Sequence, residues 1–282
     1  MGAILNRRTL DPTSSPLAAL AVQLRRSREA LGLTQLGLGL LVGYSNTYIS
    51  NVETTKEAPS LTFIQRADLH LKTGGTLELL WWSWKNGSLI QGFPEYTAQE
   101  ANATALRIFQ PRVIPGLLQT AEYAAAMESG NVLRGKISQA QADSRVKFLL
   151  DRQRIFTKTP RPSLRVVMDE TCLVRPIGGP SVMARQLRHL EVLAREPRTT
   201  IQVALNAVAE LHPLSHPLTL LTMAGRTMLG YTEGLQRGYL ERDSETVAEW
   251  ADDYDLLQAE ALSPTESLAK TRRLREDFEH AS

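Results

Sequence analysis

The 282-residue chain holds a single cysteine, Cys172. One cysteine excludes an intramolecular disulfide and any multi-cysteine metal cage, and it suits a reducing compartment. Cys172 sits between Thr171 and Leu173 after an apolar run, so it is expected as a packed small residue rather than a reactive thiol. No hydrophobic run reaches the length of a membrane span, and the opening MGAILNRRTLDPTSSP has no apolar signal core. Asn6 stands where a myristoylation signal needs Ser or Thr. These absences lead us to expect a soluble cytoplasmic protein with no membrane partner. Internal repeats, low-complexity tracts and phosphate-binding glycine loops are missing as well. Because no nucleophile-and-base pair is visible either, neither enzymatic activity nor a cofactor is expected.

The net charge of +2 is too small to announce nucleic-acid binding, but its distribution is uneven. Residues 1–75 carry eight Lys and Arg against five acids, whereas residues 244–282 carry four against ten. A mildly basic head (net +3) and an acidic tail (net −6) fit a DNA-facing end and a solvent- or partner-facing end. With 43% hydrophobic and 22% charged residues the composition is that of a globular protein. We expect a flexible arm over 1–15, an all-α head over 16–75, a junction segment over 76–95 and a second domain over 96–282.

In the head, Leu20, Leu24 and Leu31 keep one helical face apolar, Gly32 ends that helix and Thr34 caps the next. Helix two should run from Gln35 to Val42, with Gly39 at a close approach of two helices. Gly43 supplies the turn, and Ser45 caps helix three, Asn46 to Glu53. This cap-to-cap spacing sets two short helices at the angle of a helix-turn-helix. Ile49 and Val52 face inward, leaving Asn46, Thr47 and Asn51 outside. Asn can bond adenine through paired hydrogen bonds, and Thr offers a hydroxyl and a methyl to thymine. Gln35, Ser45 and Lys56 are placed to hold phosphates. Gly37 costs helix two about 1 kcal/mol relative to Ala, and Leu36 and Leu40 are expected to form a small exposed apolar patch. Helix three has no Arg or Lys, so affinity must come from phosphate contacts and the pairing of subunits.

The segment LGLTQLGLGLLVGYSNTYISNVE (31–53) resembles the phage-repressor (XRE) family of helix-turn-helix regulators. That resemblance implies double-stranded DNA as partner and a structural ion pair between Arg28 and Glu53; a repressor acting as a homodimer is expected, since one short helix reads too few base pairs.

The second domain is expected to be α+β: mainly helical with a smaller, largely antiparallel sheet. Strands are read at 164–169, 200–205, 218–223, 227–232 and 239–242. Helices are read at 116–129, 138–156, 180–195, 244–261 and 264–280. In helix 138–156, Val146, Leu149 and Leu150 form the core stripe, and Arg145, Lys147, Arg152 and Arg154 form a solvated face. Glu210, His212 and His216 could hold a metal, but the intervening prolines favour a loop, and no metal site is expected. Asp169 and Glu170 are adjacent on a strand and point to opposite faces. Gly178-Gly179-Pro180 reads as a turn feeding a helix. Trp81, Trp82 and Trp84 are expected at a domain or subunit junction.

From Tyr96 to Phe278 the chain resembles the C-terminal domain of actinomycete regulators of the WhiJ type. The motifs carrying this likeness are FQPRVIPGLLQTAEY (109–123), Asp169-Glu170, RPIGG (175–179) and ALSPTES (261–267). The resemblance implies a transcription factor, often paired with a small protein partner; the domain is also large enough to hold a pocket for a small-molecule effector.

Overall fold

The computed structural model describes residues 10–13, 15–86, 92–206, 213–234 and 237–281. Most of the expected arm, together with Glu210 and His212, lies outside the described residues. The chain divides into two compact units, residues 1–89 and 90–282. Among the described residues no helix is long and apolar enough to cross a membrane.

The first unit is five helices: α1 (Pro16–Ala30), α2 (Gln35–Val42), α3 (Asn46–Glu53), α4 (Leu61–Leu71) and α5 (Thr76–Asn86). Ser15, Thr34, Ser45 and Ser60 each accept the backbone N–H three residues on, at 3.0–3.2 Å. Each such cap contributes about 0.5–2 kcal/mol. Leu20 and Leu24 of α1, Leu38 and Val42 of α2, Ile49 and Val52 of α3, and Phe63 and Ile64 of α4 form one core. Leu31, expected on the apolar face of α1, lies past its end and is exposed. A Cβ at Gly39 would lie 2.5 Å from the Tyr44 carbonyl oxygen, so the bare glycine lets the α2–α3 turn close over α2.

Thr76–Asn86 was expected to open the junction segment, and it is instead a helix packed on α1 and α4. Leu77 and Leu80 join the core of the head, and Trp81 packs against it and donates to the Pro59 carbonyl at 2.6 Å. The tryptophans therefore belong to the head. What fixes α5 is Asp68, a buried carboxylate of α4. Its oxygens accept the N–H groups of Leu77 (2.9 Å) and Glu78 (2.7 Å) and the hydroxyl of Thr73. Burial pushes this carboxyl up to about 6, against the lowering from those three hydrogen bonds. A carboxyl raised in the folded state binds more protons there than in the unfolded chain, so stability falls as pH rises from about 4 to 6. The expected result is that the head loses on the order of 2 kcal/mol over that interval through Asp68. Urea unfolding of the wild type and Asp68→Asn at pH 4.5 and 7 checks this, and parallel pH dependences in the two proteins would refute it.

The second unit is an α+β domain around one six-stranded sheet. Its strands are β1 (Ala105–Gln110), β2 (Ser163–Asp169), β3 (Thr199–Ala204), β4 (Leu218–Thr222), β5 (Met228–Glu233) and β6 (Gly238–Glu241), in the order β3-β2-β1-β4-β5-β6. β1, β2 and β3 pair in parallel, whereas β1–β4, β4–β5 and β5–β6 are antiparallel. Three of the five pairings are thus antiparallel, and strand direction reverses between β1 and β4. The helices are α6 (Phe93–Glu100), α7 (Ala121–Leu133), α8 (Gln139–Arg152), the short α9 (Thr171–Val174), α10 (Pro180–Leu193), α11 (Ser244–Glu260) and α12 (Pro264–His280).

Alternation along the strands feeds two cores. Leu106, Ile108, Val166, Met168 and Val203 pack with Tyr123 of α7 and Met183 and Leu187 of α10. Phe109, Val167, Ala204 and Leu220 pack with Val247, Ala251, Tyr254 and Leu257 of α11. Strands covered on both faces read as nearly continuous apolar runs, as β2 does. Cys172 is buried, and burial pushes its thiol well up.

Two expectations for α8 are corrected. Leu150 is exposed, and the helix buries Ala142 and Phe148 instead. Arg152, read as solvated, turns inward and forms a two-point ion pair with the buried Glu100 of α6, at 2.8 and 2.7 Å. Gly178 and Gly179 (φ 72° and 87°) turn the chain into α10. Asp169 accepts the N–H of Thr171, while Glu170 pairs with Lys270 at 2.7 Å. Among the described residues no three His, Cys, Asp or Glu side chains gather as a metal site.

Candidate nucleic-acid interface

Helix α3 is short, so its orientation depends on what holds its two ends. At the N-terminal end Gly43 takes φ 77° and Ser45 caps α3 by accepting the Tyr48 N–H at 3.1 Å. Tyr44 and Tyr48 stack with ring centroids 4.7 Å apart, and both meet the edge of Phe63. Tyr48 Oη accepts the N–H of Ser60, which ties α3 to the start of α4. Arg66 of α4 donates to the Val42 carbonyl at 3.1 Å, beside the turn.

The C-terminal end is pinned by Glu53, which is 1% exposed. Arg28 Nε donates to Glu53 Oε1 at 2.6 Å and Nη2 to Oε2 at 2.9 Å. Arg28 Nη1 donates to the Leu33 carbonyl at 2.6 Å, so one guanidinium joins α1, the α1–α2 turn and α3. The hydrogen bond from Arg28 to Glu53 raises the guanidinium above its ordinary value. Arg25 adds a bond to the Glu53 carbonyl at 3.1 Å. A planar fork facing a carboxylate at two points fixes rotation as well as distance.

With both ends held, α3 presents Asn46 and Thr47, both exposed, and the half-buried Asn51. The three share the outer side of the helix, but their states differ. Asn51 Nδ2 donates to Glu57 at 3.3 Å, which leaves its second N–H and its Oδ1 for a base. Gln35 departs further from the expectation: its amide donates to Glu53 Oε2 at 2.8 Å, which draws it into the pin. Its nitrogen carries a second N–H, which is what remains for a phosphate. Ser45 and Lys56 are exposed at the two ends of α3. A hydroxyl that accepts a cap bond can still donate, so Ser45 can serve both roles. Leu36 (58%) and Leu40 (78%) are exposed on α2 as expected, and Leu41 joins them.

Tyr44, Tyr48 and Arg66 are parts of this frame that sequence reasoning did not reach. The i, i+4 spacing of the two tyrosines was the available signal. Residues 19–81 match the model of a helix-turn-helix domain, and residues 93–273 match that of a domain of unknown function, DUF5753. No curated protein and no solved structure matches the chain.

Proposed function

The chain belongs to the DUF5753 family and carries a helix-turn-helix DNA-binding domain ahead of that domain; from that premise we propose a sequence-specific transcriptional repressor acting as a homodimer in the cytoplasm, on the nucleoid. The observation that supports it is the outward pair Asn46 and Thr47 on a helix whose two ends are locked. One eight-residue helix reads too few base pairs for genomic specificity, so two heads on half-sites about 34–36 Å apart are needed. The XRE assignment and the kinship with WhiJ-type regulators are part of the same proposal. In it the second unit takes an effector, and no reaction is catalysed.

The test compares affinity for the operator and for random DNA. Asn46→Ala and Asn51→Ala are each expected to cut the discrimination by about 1–3 kcal/mol per lost bidentate contact. Lys56→Ala should weaken both DNAs alike and lower the salt slope by about one charge. Unchanged discrimination in both asparagine variants would remove α3 from base reading. A second reading is that the C-terminal domain binds a small protein partner that controls DNA binding. It is favoured by the exposed acids Glu249 and Asp252 and the exposed Leu256 on α11. Co-purification of a basic partner with the full chain would support it, and a protein that always elutes alone would remove it.

A further inference from the structure

β1 is the strand at which the sheet changes from parallel to antiparallel pairing. In open sheets, ligands bind outside the carboxyl ends of strands where the topology switches. Beyond that end of β1 the chain runs through residues 111–119, most of the FQPRVIPGLLQ motif. These residues, α6, the end of α8 and the adjoining ends of β4 and β5 line a partly open cavity of about 210 Å³. At ~30 Å³ per water this is room for about seven waters, or a compact organic molecule.

The walls are aromatic on one side. Tyr96 and Tyr231 stack with centroids 4.0 Å apart, and Phe93 lies 5.8 and 6.3 Å from them. Gly238 is bare where a Cβ would strike the Tyr231 hydroxyl. Gln110, Thr219 and Thr232 add polar groups to the lining.

The charges decide the ligand. Among the described residues Arg152 is the one basic residue of the lining, and Glu100 takes its Nε–H and one N–H of Nη2. Tyr96 donates its hydroxyl to the same carboxylate. An incoming anion would meet a guanidinium whose charge Glu100 already balances. Glu233 also lines the cavity; Tyr231 Oη donates to it at 3.0 Å, and among the described residues no Lys or Arg forms an ion pair with it. Arg152, Glu100 and Glu233 together carry one negative charge in excess. Burial and the nearby Glu100 push the Glu233 carboxyl up, against Tyr231 and Arg152. A cation in the cavity would relieve that cost; Arg152 already lies 5.0 Å from the Phe93 centroid and 5.9 Å from that of Tyr96, and the ring faces it leaves uncovered attract cations as well.

We propose that this cavity binds a small organic cation, a compact primary or quaternary ammonium, with Glu233 as counter-charge and Phe93, Tyr96 and Tyr231 as its aromatic wall. Such a cation is the regulator's effector; this effector role rests on the regulatory reading above, while the binding itself does not. The FQPRVIPGLLQ motif then has a function besides packing, since most of it lines the cavity together with the tyrosines.

The experiment is calorimetric titration of the full chain, without DNA, with n-butylammonium, tetramethylammonium and the anionic isostere butyrate. Saturable binding of the ammonium ions and none of butyrate is expected. Glu233→Gln should weaken both ammonium ions at least tenfold, and Phe93→Leu should weaken tetramethylammonium more than n-butylammonium. Failure of both ammonium ions to saturate would overturn the proposal, as would butyrate binding equally well or Glu233→Gln leaving affinity unchanged. The isostere comparison decides the matter on the wild type should a variant not fold. Operator titrations with and without the ammonium ion then test the effector role. Unaltered operator affinity would overturn that role and keep the site, whereas no operator binding in either condition would count against the regulatory reading alone.

Discussion

Glu53→Ala is expected to destabilise the head by about 3–5 kcal/mol and to abolish operator binding. Removing one partner of a buried pair leaves the other as an uncompensated charge, and that cost exceeds the worth of the contact. Arg28 is 6% exposed and would keep only the Leu33 carbonyl and the exposed Glu29. Gln35 would lose its acceptor at the same time. Urea unfolding followed by tryptophan fluorescence reads this directly, because Trp81, Trp82 and Trp84 report on the head and Trp250 on the second unit. The double variant Arg28→Met, Glu53→Leu should recover most of the stability, since apolar replacements of buried pairs are often neutral or better. A loss under about 1 kcal/mol for the single variant would show that water reaches the pin.

Arg152→Met should have a comparable effect on the second unit, about 3–5 kcal/mol, by stranding Glu100 at 2% exposure. Three aromatic rings also lose a contact: the Arg152 guanidinium lies 5.0 Å from the Phe93 centroid and 5.9 Å from those of Tyr96 and Phe148. Burial and Glu100 hold the Tyr96 hydroxyl well above its ordinary value, so it stays a donor to that carboxylate. Adding Glu100→Gln to Arg152→Met should restore about half of the loss, because a neutral amide is cheaper to bury than a charge. Equal unfolding midpoints for Arg152→Met and the wild type in the second unit's transition would refute the assignment.

How far the sequence reaches depends on how local each signal is. The limits of α2 and α3 coincide with those expected because Thr34 and Ser45 bond within three residues of themselves. α12 is equally legible, its Ser263 and Glu266 forming a reciprocal capping box. β1 was not expected as a strand. Ala105-Leu-Arg-Ile-Phe-Gln110 is short, carries Arg107 and runs into Pro111, and its pairing partners lie 58 and more residues away in sequence. α5 was read as a junction because the carboxylate that caps it, Asp68, belongs to the preceding helix. Arg152 looked like a surface charge for the same reason, with Glu100 lying 52 residues upstream. In the interface, the types and positions of Asn46 and Thr47 were legible. The engagement of Asn51 by Glu57 and of Gln35 by Glu53 was not, since both are choices among several acceptors that only the folded chain offers.

Helix α3 carries no Lys or Arg. On random DNA the phosphates supply nearly all the binding energy, and a reading helix that brings no positive charge adds little there. Such a protein spends less time on the wrong sequence, and fewer of its copies are drawn off by the very many competing sites of a genome. On the function proposed above, a larger share of the protein would then stay off random DNA and remain available to the operator.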